Sequence, residues 1–100
     1  MQAQNSKDII AEINAHMQKS GIANSSWYVG ITSDVDGRLF GSHQVPRKDH
    51  WYIYRRAINA DEARVIEAAC HRAGCKGSGG GGDDAAVYVY AYVITSNTVE

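Results

Sequence analysis

Three side chains of this sequence could do chemistry: Tyr28, Arg38 and Glu67. Packing alone explains the positions of the two charged ones poorly. Arg38 follows Tyr28 by ten positions, across two turn-forming aspartates. Glu67 lies in a helix-type repeat at the border of the apolar stripe that contains Ala63. A carboxylate at the edge of a core costs desolvation free energy unless it meets a cation, a metal ion or hydrogen-bond donors. The residues therefore predict a metal contact at Glu67 or, alternatively, a structural ion pair with Arg38 or Arg55.

The order of Tyr28, Gly30, Arg38 and Glu67 resembles the pattern of the GIY-YIG nuclease family. In that family a Tyr-Ile-Gly strand leads into a helix bearing an arginine. A later strand precedes a helix whose glutamate holds a divalent metal ion. The matching letters YVG, WYIYRRA and EARVIEAA lie within residues 27–73. The resemblance implies an endonuclease domain that hydrolyses phosphodiester bonds of DNA with the help of a metal ion.

The family places a Gly-Ile-Tyr strand shortly before its Tyr-Ile-Gly strand, but residues 1–25 do not contain such a strand. The segment YAYVIT at 90–95 resembles the Gly-Ile-Tyr strand, with Tyr92 in the place of the tyrosine and Tyr90 in that of the glycine. If this last strand pairs beside the Tyr28 strand, the domain is a circular permutation of the family's fold. Tyr92 then faces Tyr28. The alternative is an ordinary core strand with one aromatic face.

The resemblance, together with ordinary phosphoryl chemistry, implies a role for each candidate residue. Glu67 would bind Mg²⁺ or Mn²⁺, because hard cations prefer carboxylate and phosphate oxygens. The metal would polarise the scissile phosphate. Arg38 would bind the non-bridging oxygens through its planar guanidinium group. Tyr28 or Tyr92 would position or deprotonate the attacking water.

A local excess of positive charge predicts a nucleic-acid contact, although the net charge of the chain is only −1. Residues 38–56 contain five Lys or Arg and one Asp, whereas residues 83–100 contain no Lys or Arg. Such a distribution can present one positive face to a phosphate backbone, or it can simply solvate two edges of the molecule. His43 or His50 could also share in proton transfer, the alternative being exposed histidines. The candidate nucleic-acid-binding residues are His43, Arg47, Lys48, Arg55 and Arg56.

The elements that must position these residues alternate between helix and strand along the chain. Apolar residues spaced four apart, cap residues and runs of β-branched and aromatic residues define them. The predicted elements are helices over 6–20 and from Asn59 to Gly74, a short helix begun by Asp34, and strands over 26–32, 51–57 and 86–95. Three strands are too few for a sheet covered on both faces by crossover helices. The predicted fold class is therefore α+β, a small three-stranded, mostly antiparallel sheet with three helices, as in GIY-YIG domains.

Length and composition limit the architecture and the location. One hundred residues with 44% apolar content predict a single domain over residues 1–100. Neither an apolar run of about 18 residues nor a leader-like N-terminus occurs, so we expect a cytoplasmic chain that does not cross a membrane. Cys70 and Cys75 predict reduced thiols without a disulfide partner.

Two other functions stay open beside hydrolysis of DNA. The first is a catalytically inactive nucleic-acid-binding domain of the same fold, which the displaced strand suggests. The second is a protein-interaction domain that forms a homodimer through the C-terminal strand. That strand, VYVYAYVI, would be a template for pairing with a second chain if it lay at a sheet edge.

Overall fold

The computed structural model describes residues 1–78 and 84–100. Within these residues the chain forms three helices, a single 3₁₀ turn and a three-stranded antiparallel sheet, which confirms the predicted α+β class. Part of the glycine-rich loop, with Asp83, lies outside the described residues. The elements are α1 (Ser6–Ser20), β1 (Trp27–Thr32), a π-helix (Asp36–Ser42), β2 (Tyr52–Arg56), α2 (Ala60–Arg72) and β3 (Tyr88–Val93).

The helix α1 begins and ends at residues suited to those positions. The Asn5 side chain accepts a hydrogen bond from the Asp8 N–H at 2.9 Å, which satisfies one of the free amides of the first turn. Gly21 ends the helix at φ 71°, a left-handed conformation that glycine adopts without a Cβ penalty. The residues that α1 buries are Ile9, Ile13 and Met17.

The helix α2 is capped in the same way. The Asn59 side chain accepts from the Glu62 N–H at 2.8 Å, and acidic residues in the first turn complement the helix dipole. Gly74 follows the helix at φ 109° and turns the chain back toward the sheet. The buried residues of α2 are Ala60, Ala63, Ile66, Glu67 and Cys70.

The sheet has the order β1-β3-β2, so the last strand in sequence is the central one. It pairs antiparallel with β1, and Tyr92 lies opposite Tyr28 while Tyr90 lies opposite Gly30. The predicted pairing of the last strand beside the Tyr28 strand is therefore confirmed. The condition for a homodimer through this strand is not met, because both of its edges are already paired within the chain. That prediction was wrong.

The outer edge of β1 is covered by the segment that follows α2. The Val29 N–H donates to the Lys76 carbonyl and the Lys76 N–H donates to the Trp27 carbonyl, both at 2.8 Å. The His71 Nε2–H donates to the Val29 carbonyl at 3.0 Å. Such coverage prevents an edge strand from pairing with another chain.

The outer edge of β2 is also partly covered. The Arg56 carbonyl accepts from the Gln4 N–H at 2.9 Å, and the Tyr54 carbonyl accepts from Arg55 Nη1 at 2.8 Å. Backbone groups that would otherwise be open to another strand are thus satisfied within the chain.

The two faces of the sheet bury different kinds of side chain, because alternate residues of a strand point to opposite faces. One face packs against α1 and α2 through aliphatic residues and Trp27. The other face is aromatic and is covered by the π-helix and the loop after it. The buried members of this aromatic face are Tyr28, Leu39, Val45, Tyr90 and Tyr92.

Neither cysteine forms a disulfide with a described residue. Cys70 and Cys75 are both buried free thiols. Burial raises the pKa of Cys70 to about 12, so this thiol stays protonated at neutral pH. In the described part of the chain, no helix has the length and apolar character needed to cross a membrane.

Candidate functional site

A groove of about 810 Å³ opens beside β1, on the aromatic face of the sheet. We call it the Tyr28 groove. The π-helix and the residue after it form one wall, and the segment from the end of α2 to Ser78 forms the other. The described residues that line it are Tyr28, Arg38, Ser42, His43, His71, Cys75, Lys76, Gly77, Ser78 and Glu100.

Tyr28 presents its phenol to this groove. Its ring packs against those of His43, Tyr92 and Tyr90, with centroid distances of 4.7, 5.3 and 6.3 Å. The hydroxyl group makes no hydrogen bond with any other residue that the structure describes. Its ring is therefore held firmly while its hydroxyl can bind a ligand.

Beneath Tyr28, His43 joins two further tyrosines in a hydrogen-bonded array. The Val99 carbonyl lies 2.6 Å from His43 Nδ1, and because a carbonyl can only accept, Nδ1 carries the proton. His43 Nε2 is then free to accept from the Tyr90 hydroxyl at 2.7 Å. The Tyr92 hydroxyl donates to the same Val99 carbonyl at 3.1 Å and lies 2.9 Å from Nδ1. The array fixes one tautomer of the imidazole.

Burial keeps this array neutral. It lowers the pKa of His43, because the imidazolium form would lose its hydration. It raises the pKa of Tyr90 and of Tyr92, because the phenolate form would likewise lose its hydration. Tyr92 is fully buried and His43 is 4% exposed. The structure thus places Tyr92 beneath the groove and His43 in its floor.

Arg38 stands on the π-helix at the mouth of the groove. The His43 N–H donates to the Arg38 carbonyl at 2.9 Å, the five-residue spacing of a π-turn. The Arg38 side chain is exposed, and its positive charge adds to burial in lowering the pKa of His43. Lys76, also exposed, lines the opposite wall. The groove therefore has one permanent cation on each side.

Glu67 lies near the groove without lining it. Glu67 lies on α2 and is 5% exposed. It precedes His71 by four positions, and residues so spaced share a helix face. His71 does line the groove. Burial and the neighbouring Tyr28 are the larger causes of the raised pKa of Tyr90, and the negative charge of Glu67 raises it further. The charge of Glu67 therefore acts on Tyr90 from the turn of α2 that precedes His71.

Arg55, one of the two alternative partners that the sequence offered to Glu67, is used elsewhere. Arg55 donates from Nε to Glu12 Oε1 at 2.9 Å, and this hydrogen bond holds the pKa of Glu12 below its ordinary value. The expected ion pair between Arg55 and Glu67 was therefore wrong, because Arg55 lies on the face of β2 that packs against α1.

The basic residues predicted to bind nucleic acid occupy different places. Arg47 lies over the Phe40 ring, with 4.0 Å from Cζ to the centroid, and its Nη1 is 3.7 Å from an Asp36 carboxylate oxygen. Lys48 is exposed in the same loop. Arg56 is exposed at the end of β2 and donates to the backbone near the N-terminus. With Arg55 bound to α1, these residues are not the single positive face that the charge count suggested.

Seven of the described lining residues were not candidates for the site from the sequence: Ser42, His71, Cys75, Lys76, Gly77, Ser78 and Glu100. His71 could have been found, because it follows Glu67 by one helical turn. Lys76 could not, because its place depends on a bridge between a loop residue and the edge of β1. The place of Glu100 could not be predicted either, because it depends on how the chain after β3 folds back onto His43.

The close approach of Tyr90 to Gly30 gives a first testable prediction. A Cβ on residue 30 would lie 2.5 Å from the Tyr90 hydroxyl oxygen and 2.7 Å from Cζ, inside van der Waals contact. Since Tyr90 is buried and bonded to His43, its ring cannot move away freely. We expect Gly30→Ala to lower the free energy of unfolding by about 1–3 kcal/mol, measured by denaturant titration.

Gly41→Ala is the matched control for this substitution. The nearest atom to a Cβ at residue 41 is a backbone oxygen at 4.0 Å, and Gly41 lies in a helix that alanine favours. Equal stability of the Gly30→Ala and Gly41→Ala proteins would contradict the close packing of Tyr90 over Gly30.

Comparison with known proteins identifies no relative of this chain. No protein-family model, no curated protein and no solved structure matches the chain. The function must therefore be argued from the groove itself.

Proposed function

We propose that the Tyr28 groove binds the phosphodiester backbone of DNA and hydrolyses it, as a circularly permuted GIY-YIG-like endonuclease domain. The observation that carries this proposal is the register in which Tyr28 lies opposite Tyr92 across β1 and β3. Two strands that the family joins by a short loop would pair antiparallel. Here two strands from distant parts of the sequence pair in that way.

The two walls of the groove suit a phosphate group. The Arg38 guanidinium can donate two parallel hydrogen bonds to the non-bridging oxygens, and the Lys76 ammonium acts as a point charge on the other side. Together they would hold the phosphate over the Tyr28 hydroxyl. Orientation of this kind supplies a large part of the rate enhancement in phosphoryl transfer.

Among the three neighbouring phenols, Tyr28 is the one suited to contact the attacking water. Burial raises the pKa of Tyr90 and Tyr92, so both stay protonated at neutral pH and serve to hold the array together. The Tyr28 hydroxyl reaches the groove and can orient a water molecule beside the bound phosphate.

Glu67 is the residue that would hold Mg²⁺ or Mn²⁺. Magnesium ions in phosphoryl-transfer sites take one or two carboxylates and complete their shell with water and phosphate oxygens. The Glu67 carboxylate, one helical turn before His71 of the groove wall, would supply the carboxylate of such a donor set. A cation held by protein alone does not fit, because the described residues contain no group of three His, Cys, Asp or Glu side chains arranged around a common point. When bound, the ion would neutralise charge on the leaving oxygen.

Nicking of supercoiled plasmid tests the proposal. We expect the protein with Mg²⁺ or Mn²⁺ to convert supercoiled DNA to the open circle, EDTA to stop the reaction, and Glu67→Gln to lose it. Lys7→Gln, an exposed change on α1, should nick at the wild-type rate. Equal nicking by the Glu67→Gln protein, with its fold verified by thermal melting, would contradict the proposal and indicate a contaminating nuclease.

A second candidate function is binding of nucleic acid without cleavage, in the same groove. It is favoured by the position of Glu67, which does not line the groove, since binding requires only the exposed cations. DNA binding that weakens steeply with salt, in a protein that leaves plasmid intact with either metal, would select this function. A cytoplasmic location is part of the same proposal, and it is supported by the two free thiols, which are usual in a reducing compartment.

A further inference from the structure

The segment after β3 brings a carboxylate into a groove that is otherwise cationic. Val99 is tied to His43 by reciprocal bonds: its N–H donates to the His43 carbonyl at 2.8 Å, and its carbonyl accepts from His43 Nδ1 at 2.6 Å. The Tyr92 hydroxyl bonds the same carbonyl. Glu100 follows directly and lines the groove together with Arg38 and Lys76.

The negative charge of Glu100 acts inside the site. It opposes the effect of burial on the pKa of His43, and it adds to burial in raising the pKa of Tyr92. Arg38 and Lys76 are the permanent cations among the described lining residues, and Glu100 is the carboxylate among them. Counted over the side chains of these described residues, two cations and one carboxylate leave one net positive charge.

A phosphodiester and a phosphate monoester differ in charge by about one unit. The diester carries one negative charge, whereas a monoester carries between about −1.5 and −2 at pH 7, since its second pKa is about 6. An ion that interacts with a fixed charge does so in proportion to its own charge. A carboxylate in the groove therefore opposes a monoester about twice as strongly as a diester.

We propose that Glu100 is a specificity-determining residue that disfavours terminal phosphate monoesters relative to internal phosphodiesters in the Tyr28 groove. This inference rests on the proposed function in one respect, that the groove binds phosphate. Glu100 halves the net positive charge that Arg38 and Lys76 supply, so the extra attraction that a dianion would gain is reduced. The residue thereby directs the groove toward linkages within a nucleic-acid chain and away from its ends.

The test compares thymidine 5′-monophosphate with its methyl ester, a pair that differs by one ester and one charge. Binding is followed at pH 7.5 and low salt by NMR titration of the backbone amides of residues 38 and 76, with EDTA present so that no metal ion contributes. We expect Glu100→Gln to tighten binding of the methyl ester about threefold and binding of the monophosphate about ninefold. Glu100→Asp should leave the ratio of the two affinities unchanged.

Asp49→Asn is the control for loss of a negative charge away from the groove. Asp49 is exposed at φ 57°, a conformation that asparagine adopts well. Equal gains for both ligands in Glu100→Gln, or no gain for either, would overturn the role of Glu100 while leaving phosphate binding intact. If neither ligand binds the wild-type or the Glu100→Gln protein, the groove is not a phosphate site, and both proposals fall.

Discussion

Replacing His43 with leucine should lower the free energy of unfolding by about 2–3 kcal/mol, because the change leaves a buried phenol without its acceptor. In the folded protein His43 accepts from Tyr90 and donates to Val99. Leucine fills a similar volume but offers neither group. Denaturant titration followed by circular dichroism measures the loss.

His50→Leu and His43→Asn are the controls for this prediction. His50 is half-buried and donates one hydrogen bond, from Nε2 to the Val93 carbonyl at 2.8 Å, so its loss should cost only about 1 kcal/mol. Asparagine at position 43 can still reach Val99 in the manner of Nδ1 and should recover part of the stability. If His43→Leu costs no more than His50→Leu, the buried array does not stabilise the fold as described.

The same variant should change how stability depends on pH. Burial lowers the pKa of His43 and of His16 in the folded protein below the ordinary value of 6.5. The unfolded chain therefore binds more protons than the folded one as pH falls below about 6.5, and stability decreases there. His43→Leu removes one of these two groups, so its stability should fall less steeply between pH 7 and pH 5.

Replacing Arg38 with glutamine should slow cleavage of DNA by about 100-fold, because loss of one positioned charge donor at a reacting phosphate typically costs that much. The side chain is exposed on the π-helix, so the fold should be unaffected. Single-turnover cleavage of a short labelled duplex with Mg²⁺ measures the rate. Arg38→Lys keeps the charge but not the fork of donors, and it should recover only part of the rate.

Binding data separate the role of Arg38 in contact from its role in catalysis. If it touches a phosphate, the slope of log affinity against log salt should fall by about one in Arg38→Gln. Lys19→Gln, an exposed change at the end of α1, should leave both the rate and the salt slope unaltered. An unchanged cleavage rate in Arg38→Gln would remove the guanidinium group from the mechanism.

The elements of the fold were predictable because local signals agreed with each other. The apolar spacing of Ile9, Ile13 and Met17 and the cap residues Asn59 and Gly74 defined the two long helices, and the observed bounds match them. The resemblance of YAYVIT to a Gly-Ile-Tyr strand raised the pairing of the last strand with the Tyr28 strand as a condition for the permuted fold, and the structure meets that condition. The central position of the last strand in the sheet was not predictable, because strand order depends on long-range contacts that leave no local periodicity.

The candidate site was only partly predictable, for a related reason. Tyr28 and Arg38 line the groove, as their spacing suggested that they should meet. His43 looked like a surface residue in a basic segment, yet its two ring nitrogens are occupied by groups 47 and 56 residues away in sequence. Arg55 looked available for a phosphate, yet α1 supplies its partner. Pairings of this range cannot be read from charge counts.

The central position of β3 has a consequence for how the protein acquires its fold. Among the described strands, β1 and β2 share no ladder with each other, and each is paired with β3. A growing polypeptide that has emerged only as far as residue 87 thus holds two strands and no sheet. Assembly of the sheet has to wait for residues 88–93, and the pairing of β1 with a strand so distant in sequence is of the kind that slows folding.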